Sequence, residues 1–404
     1  MPRSLPEDPL IRSLVIHARR AQMTRRGVLA GATAGASALA LAACAPTGVK
    51  KLTPGTDISS TDKSMVWANW PAYMDTVDAT GAHPTLDAFT KSTGIKVDYR
   101  EDVDDNNSYY AKVKDQLALG KDIGADTVCL TDWMVSRWIR FGYTQTLDHS
   151  KIPNIKNLNP SLLNIDYDKG RHQSLPWQGG FAGICWNKQE FPNGFTSVSE
   201  MFNEPKLKGR VGVLSEMRDT IGLIMLEQGV DIAGNFTDSQ FQAALAVLKQ
   251  NIDDGVIRNV KGNSYLDDLK NGDTLAAICW SGDITLINGS NGDKWTFAIP
   301  DAGGTIWNDN FLVPIGAKHK ANAEAIMNWY YDPQIAAQVA AYVNYITPVV
   351  GAKEAAVAID PALADNNLIF PDAATLKNAH VFRTLTPAQE QSYGSAFQSV
   401  LLGA

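Results

Sequence analysis

The alternation of strand and helix that decides the fold begins at residues 64–73, SMVWANWPAY. Residues 64–68 are predicted to form a strand, and a helix over 84–92 follows, with Pro84 near its start and Gly94 just past its end. The alternation continues along the chain, which favours a mainly parallel sheet covered by helices. Further strands are predicted at 95–99, 126–130, 210–214 and 274–280, and further helices at 108–119, 132–141, 219–228 and 239–249.

The pattern occurs twice, so two α/β units share the chain. In such sheets a site forms in the crevice beyond the carboxyl ends of the strands. Aromatic and acidic side chains, together with Thr131, recur at those positions more often than core packing or chance explains. The residues concerned are Trp70, Tyr73, Thr131, Trp133, Glu216, Asp219, Trp280, Trp307 and Asp309.

Three of these residues also have an ordinary structural interpretation. Asp219 is placed to cap a helix, Trp280 to pack in the core, and Asp309 to lie near a turn at Gly303-Gly304. The spacing alone leaves both interpretations open. Glu216 and Asp219 are three residues apart, so they can share one helical face, where a helix N-terminus would keep them ionised.

Charge is distributed unevenly over the 404 residues, whose net charge is −7. Residues 1–43 hold six arginines and two acids, so the rest of the chain has 30 basic and 41 acidic residues, a net of −11. A body this acidic is a poor nucleic-acid binder and attracts cations at long range.

The N-terminal segment carries a targeting pattern. Arg25 and Arg26 precede an uncharged stretch at 27–43 that resembles a twin-arginine export signal, and LAAC at 41–44 resembles a bacterial lipobox. Residues 1–43 are therefore predicted to be a signal peptide, with Cys44 as the acylated residue that contacts the membrane. Residues 44–62 are predicted to be a lipid-anchored flexible tether. An N-terminal membrane helix with a chance cysteine is the alternative, and translation starting at Met1 or at Met23 stays open.

Catalytic and metal-binding motifs are missing from the sequence. It contains no His-Glu-x-x-His, no Gly-x-Ser-x-Gly and no Walker phosphate loop. Cys129, Cys185 and Cys279 lie in apolar, strand-like runs and are predicted to be buried small hydrophobes, with one disulfide left open. The chain is therefore predicted not to be an enzyme and to hold neither a cofactor nor a metal.

Several phrases of the sequence resemble the polyamine-binding proteins of bacterial ATP-binding-cassette importers, within the class of two-lobed periplasmic binding proteins. The similarity extends from about Met65 to about Phe397. It is carried by NWPAY at 69–73, FTKSTGIKV at 89–97, LPW at 175–177, IWND at 306–309, YITP at 345–348 and FPDA at 370–373.

The resemblance implies a type II periplasmic-binding-protein-like α/β fold, in which two α/β lobes close like a hinged clamp on an interlobe cleft. Lobe one would be 63–180 plus 309–353, and lobe two 181–308 plus 354–404. The ligand would be a polyamine such as spermidine or putrescine, delivered on the extracytoplasmic side to a permease and ATPase by a monomeric protein. The residues that match the family's ligand contacts are Trp70, Tyr73, Thr131, Trp133, Glu216, Asp219, Trp280, Trp307, Asp309 and Tyr345.

Two departures from the family pattern leave the ligand's length and number of amines open. Ala72 stands where some relatives have a glutamate, and Phe382 replaces a polar residue. Another organic cation, such as agmatine or a choline-like amine, is the strongest alternative. A ferric-ion binder would use paired tyrosines, but Tyr109-Tyr110 and Tyr330-Tyr331 both lie in helical patterns that favour packing.

Overall fold

The computed structural model describes residues 52–77 and 79–403, which form one compact unit. Its strands are β1 Ser64–Asn69, β2 Lys96–Glu101, β3 Thr127–Thr131, β4 Asn164–Ile165, β5 Asp168–Lys169, β6 Leu175–Asn187, β7 Val211–Leu214, β8 Ile257–Lys261, β9 Ala276–Trp280, β10 Trp295–Ala298, β11 Gly304–Leu312 and β12 Ala379–His380.

Helices cover both faces of the strands. They are α1 Pro84–Thr93, α2 Asn106–Ala118, α3 Asp132–Arg140, α4 Val198–Asn203, α5 Met217–Glu227, α6 Asp238–Asp253, α7 Tyr265–Asn271, α8 Ser281–Asn291, α9 Lys320–Tyr330, α10 Pro333–Val343, α11 Ala352–Ile359, α12 Pro361–Ala364, α13 Ala373–Lys377 and α14 Pro387–Leu401. Short 3₁₀ helices lie at His149–Lys151, Pro153–Asn157, Pro160–Leu162 and Pro205–Leu207.

The main sheet is built from two halves with the same topology. Its order is β2-β1-β3-β11-β6-β9-β7-β8. In one half, β1 pairs in parallel with β2 and β3; in the other, β7 pairs in parallel with β8 and β9. β1 lies between β2 and β3, and β7 lies between β8 and β9. In each half the chain passes from one side of this central strand to the other, which gives each half one crossover point.

Two long antiparallel strands join the halves. β6 and β11 pair from Thr305 opposite Ala182 to Phe311 opposite Leu175, with a register shift between Asp309 and Asn310. β11 also pairs with β3, and β6 also pairs with β9. These two strands therefore belong to both halves of the sheet.

Most predicted elements lie within a few residues of the observed ones, and the structure excludes two of the ordinary structural interpretations that the sequence left open. Asp219 does not cap a helix, because α5 begins at Met217 and Glu216 is its N-cap. Asp309 does not lie near a turn, because Trp307 and Asp309 are in the middle of β11.

The core around β1 is aromatic. The fully buried Trp67 has ring centroids of Tyr99, Trp177, Phe311 and Tyr330 within 5.1–5.7 Å, mostly at the tilted or edge-to-face angles that aromatic rings prefer. The three cysteines at 129, 185 and 279 are free and buried, as predicted.

The predictions for the N-terminal segment fall partly outside the described residues. Arg25, Arg26 and Cys44 lie there, as does the predicted signal peptide. Residues 52–62 of the predicted tether are not free of the body, because Gly55 N donates to Ile315 O at 2.8 Å and Ile58 N to Lys318 O at 2.8 Å. Within the described part of the chain, no helix is long and apolar enough to cross a membrane.

The inner face of α2 offers a matched test of the packing. Leu117 is fully buried and Leu119, two residues on, is 66% exposed. Leu117→Ala is expected to lower the free energy of unfolding by about 2–5 kcal/mol, because it leaves a cavity. Leu119→Ala is expected to change it by no more than about 0.5 kcal/mol. Urea unfolding followed by tryptophan fluorescence measures both, and equal effects would contradict the assigned face.

Candidate functional site

The two crossover points of the sheet face the same cleft. Trp70 and Tyr73 follow β1, and Thr131 ends β3. Glu216 follows β7, and Trp280 ends β9. Side chains gather at such points because the two loops leave the sheet in opposite directions and open a crevice between them.

The joining strands supply the middle of the cleft. Trp307 and Asp309 are two residues apart on β11, so they point to the same face of the sheet. Tyr345 follows Asn344, which ends α10 in the left-handed conformation at φ 58°.

Two glycines provide the room that these rings occupy. A Cβ on Gly180 would lie 2.7 Å from ring atoms of Trp307 and Tyr345, and a Cβ on Gly282 would lie 2.7 Å from the ring of Tyr345. Any side chain at either position would displace Tyr345 from the cleft.

Nine of the ten sequence-predicted ligand residues line one cleft. They are Trp70, Tyr73, Thr131, Glu216, Asp219, Trp280, Trp307, Asp309 and Tyr345. The cleft is narrow, with a cavity volume of about 30 Å³, room for about two water molecules. A ligand of more than a few heavy atoms therefore requires the walls to separate.

Aromatic rings form a continuous wall around this space. Ring centroids are 6.3 Å apart for Trp70 and Trp280, 6.4 Å for Trp280 and Trp307, and 5.4 Å for Trp307 and Tyr345. Tyr73 meets Tyr345 edge to face at 5.3 Å. Such faces attract cations and cover methylene groups.

Asp219 and Asp309 are held by neutral donors. Asp219 accepts hydrogen bonds from Trp280 Nε1 at 2.8 Å and Thr305 Oγ1 at 2.5 Å. Asp309 accepts one from Thr131 Oγ1 at 2.6 Å. Neither carboxylate has a lysine, arginine or histidine within ion-pair distance among the described residues.

Glu216 differs because it has an internal cation. Its Oε2 accepts from Asn106 Nδ2 at 3.2 Å and from Trp133 Nε1 at 3.1 Å. The Arg218 guanidinium lies 3.9 Å from its Oε1.

Burial governs the ionisation of these acids. It raises the pKa of Asp309 to about 7, against the lowering effect of the Thr131 hydroxyl. Burial likewise raises the pKa of Glu216 to about 7, although Arg218 lowers it, and burial raises the pKa of Asp219. Burial thus opposes the ionisation of Glu216 and Asp219 that the helix N-terminus is expected to favour.

The sequence analysis missed Asp283, a further carboxylate in the cleft. It is buried at the start of α8 and accepts hydrogen bonds from Tyr345 OH at 2.8 Å and Tyr265 OH at 2.9 Å. Burial raises its pKa to about 6, partly offset by those two hydroxyls. The signal was present in the sequence, because Asp283 follows Trp280 by three residues just as Asp219 follows Glu216. The cleft is also lined by Asp105, Asn106, Asn263 and Pro71.

Trp133 is the one predicted ligand residue outside the cleft wall. Its indole donates to Glu216, and the guanidinium carbons of Arg218 and Arg137 lie 4.1 Å and 4.9 Å from its ring centroid. It therefore holds the Glu216 carboxylate by a hydrogen bond from outside the cleft wall.

The two residues that depart from the family pattern, Ala72 and Phe382, lie in different surroundings. Ala72 does not line the cleft and adopts φ 56°, with its backbone N donating to Glu101 Oε1 at 2.9 Å. Phe382 is buried and packs on Phe236 at 5.5 Å between centroids.

The paired tyrosines serve as packing residues. Tyr109, Tyr330 and Tyr331 are buried, and Tyr331 OH donates to Pro176 O at 2.8 Å. None of them lines the cleft. Across 52–77 and 79–403, no group of three His, Cys, Asp or Glu side chains is arranged to hold a metal ion.

Comparison with known families gives the class of the protein. The model of the bacterial extracellular solute-binding proteins matches residues 85–365, more than half of the chain. The chain therefore belongs to this family of solute-binding proteins.

Two individual relatives give a more specific comparison than the family as a whole. The chain is 29% identical over 325 residues to spermidine/putrescine-binding periplasmic protein 1 of Haemophilus influenzae, covering 79% of this chain and 86% of that protein. It is 26% identical over 366 residues to a putrescine-binding periplasmic protein of Escherichia coli K12, covering 86% and 93%. By name, both relatives are periplasmic binding proteins.

A solved structure gives the fold. The spermidine/putrescine ABC transporter substrate-binding protein of Streptococcus pneumoniae matches with a TM-score of 0.66 at 24% identity, over 84% of this chain and 98% of that one. The predicted two-lobed α/β fold of the type II periplasmic binding proteins is confirmed.

The raised pKa values predict how stability depends on pH. An acid whose pKa is higher in the folded protein than in the unfolded chain stabilises the fold at low pH, and this stabilisation is lost as pH rises through the folded pKa. The free energy of unfolding of the ligand-free protein is therefore expected to fall between about pH 4 and about pH 7.5. Asp309→Asn is expected to make that fall shallower, by on the order of 2 kcal/mol.

Urea unfolding at half-unit pH steps measures this dependence. Asp115→Asn, on the exposed face of α2, is the matched control and should follow the wild-type curve. A stability that rises with pH over this range, or identical slopes for Asp309→Asn and wild type, would contradict the assigned burial of charge.

Proposed function

We propose that this protein captures a polyamine of the spermidine or putrescine type in the aromatic, acidic cleft and delivers it to an ATP-binding-cassette importer. The observation that carries the proposal is the lining of the cleft. Among the residues that the structure describes, this lining has no lysine or arginine and five acids, Asp105, Glu216, Asp219, Asp283 and Asp309. The names of the relatives from Haemophilus influenzae and Escherichia coli support the same ligand class.

The chemistry of the ligand matches that of the walls. A polyamine is a flexible apolar chain with ammonium groups at intervals, and each ammonium makes charge-assisted hydrogen bonds to carboxylates. The rings of Trp70, Trp280 and Trp307 cover the methylenes, and each contributes about 0.5–2 kcal/mol of cation–π attraction. Buried acids with raised pKa values gain most from a cation, because it offsets the solvation that they lost on folding.

Binding requires two parts of the body to move. We infer that lobe one comprises 63–180 plus 309–353 and that lobe two comprises 181–308 plus 354–404. The ladder pattern supports this division, because β6 pairs with β9 at 182–186 and β11 pairs with β3 at 309–312. The hinge would then lie in β6 and β11, next to Trp307 and Asp309.

The remaining roles follow from this proposal. The protein binds its solute and releases it unchanged, so it is not an enzyme, and its partners are a permease and an ATPase. It works as a monomer on the outer side of the cytoplasmic membrane. Arg25 and Arg26 direct its export, and acylated Cys44 anchors it.

Asp309 provides the direct test of the binding site. Asp309→Asn is expected to weaken spermidine and putrescine binding by about tenfold to a hundredfold, because a charged hydrogen bond contributes about 1.5–3 kcal/mol. Isothermal titration calorimetry measures the change, with Asp115→Asn as control. Wild-type affinity is also expected to rise with pH from about 5.5 to 8, because acids with a pKa of about 7 must lose protons to bind a cation. Undiminished affinity in Asp309→Asn would overturn the assignment.

A panel of cations separates polyamines from the alternatives. Thermal unfolding is measured with putrescine, spermidine, agmatine, choline and ferric citrate, since a tight ligand raises the apparent melting temperature by mass action. The proposal expects the largest rise with a polyamine. A largest rise with choline would instead assign the cleft to quaternary amines, and a visible absorption band with iron would assign it to ferric ion.

The anchor is tested in cells. Cys44→Ser is expected to move the protein from the membrane fraction to the soluble extracytoplasmic fraction, because the acyl chains are lost. Replacing Arg25 and Arg26 by lysine is expected to keep the protein in the cytoplasm. Membrane association of Cys44→Ser at the wild-type level would show that another segment attaches the protein.

A further inference from the structure

Two ion pairs connect the two lobes proposed above, and both end on Glu390. Arg137 Nε donates to Glu390 Oε1, and Arg140 Nη2 donates to Glu390 Oε2 at 2.8 Å. In the part of the chain that the structure describes, every other ion pair between a lysine or arginine and an acid lies within one lobe. Direct charge attraction between the lobes is therefore concentrated on one carboxylate.

Each side of this cluster is fastened to its own lobe. Arg137 lies on α3, which follows β3 directly, and its guanidinium carbon is 4.9 Å from the ring centroid of Trp133 on the same helix. Glu390 lies on α14, where the ring of Tyr393 stacks on Phe241 of α6 at 3.9 Å between centroids. Because α6 lies between β7 and β8 in the chain, α14 is held to lobe two. The two ion pairs therefore form only when the lobes are close together.

The Glu390 carboxylate is largely out of water. The residue is 8% exposed, and guanidinium groups donate to both of its oxygens. Hydrogen bonds between two charged groups are stronger than those between neutral groups, and salt screens them little at this depth. Loss of the carboxylate charge would leave two arginines uncompensated, which is strongly unfavourable in a buried place.

The cluster lies beside the cleft without lining it. Arg137 and Glu390 line an outer cavity of about 410 Å³, and Trp133 and Glu216 are also in its wall. Of these four residues, only Glu216 lines the cleft as well. Glu390 can therefore act on a ligand in the cleft only indirectly.

We propose that Glu390, Arg137 and Arg140 form a latch that holds the closed lobes together over a bound amine, with Glu390 as the positioning residue that slows ligand release. The inference rests on the proposed binding of amines between the lobes. The cleft has a volume of about 30 Å³, so its walls must separate before an amine can leave. That separation breaks both ion pairs, whichever amine is bound, because the three latch residues do not line the cleft.

Glu390→Gln tests the latch, because it keeps the shape of the side chain and removes its charge. The dissociation rate constants of putrescine and spermidine are expected to rise by the same factor, about tenfold. The association rate constants are expected to change by less than about threefold, since the encounter occurs with the lobes apart. Stopped-flow tryptophan fluorescence measures the rates, and calorimetry measures the affinities.

Asp253→Asn is the matched control. It breaks the exposed pair of Lys249 with Asp253 on α6, which lies within lobe two. Both rate constants are expected to equal those of the wild-type protein, because an exposed pair within one lobe is not broken when the lobes separate.

Arg140→Met tests the latch from the other lobe. Arg140 lines neither the cleft nor the outer cavity, and its guanidinium carbon lies over the ring of Phe141 at 5.3 Å. Dissociation is expected to be about threefold faster in this variant. Adding Arg140→Met to Glu390→Gln should give no further acceleration, because the two charges act as one unit. An effect of Glu390 that passed only through Trp133 and Glu216 would instead leave Arg140→Met like wild type and change the two amines unequally.

The outcomes separate the latch from the proposed function. If polyamines bind and Glu390→Gln and Arg140→Met release them at the wild-type rate, the latch is overturned and the proposed function stands. The same holds if slower association accounts for the whole loss of affinity. Should Glu390→Gln fail to fold, Arg140→Met decides alone. If no amine binds the wild-type protein, the proposed function fails and the latch fails with it.

Discussion

Backbone hydrogen bonds between β6 and β11 tie the two halves of the sheet together, and the cleft is built around them. Trp307 faces Gly180 across this ladder, so its ring lies over a residue that has no side chain. Asp309 comes two residues later on the same face, just before the register shifts. Because β11 pairs with β3 and β6 pairs with β9, the ladder also sets the distance between the two crossover points.

Buried negative charge is the second constraint, and it follows from that geometry. The ladder brings Asp219 and Asp309 within one narrow aromatic space, where burial raises the pKa of both. Neutral donors such as Trp280 Nε1 and Thr131 Oγ1 hold the carboxylates in place without neutralising them. The arrangement costs stability in the absence of a ligand.

Side-chain hydrogen bonds also tie distant segments of the chain together. Ser215 Oγ donates to Asp105 Oδ2 at 2.8 Å, and Arg140 Nη2 donates to Glu390 Oε2 at 2.8 Å. Glu216 belongs to the same set of contacts, because it lines the cleft while it accepts from Asn106 and Trp133.

The sequence by itself determined where polar and aromatic side chains leave the strands, because strand and helix periodicity are local properties. That was sufficient to find Trp70, Thr131, Glu216 and Trp280 and to predict an α/β fold. The same rule would have found Asp283, had it been applied to the start of α8. Only the tertiary structure decided that Trp133 donates to Glu216 from outside the cleft wall, that Asp309 lies in mid-strand, and that Arg218 packs on the Trp133 ring. These facts depend on pairing between strands more than a hundred residues apart, and no local pattern in the chain encodes which side chains such pairing brings into contact.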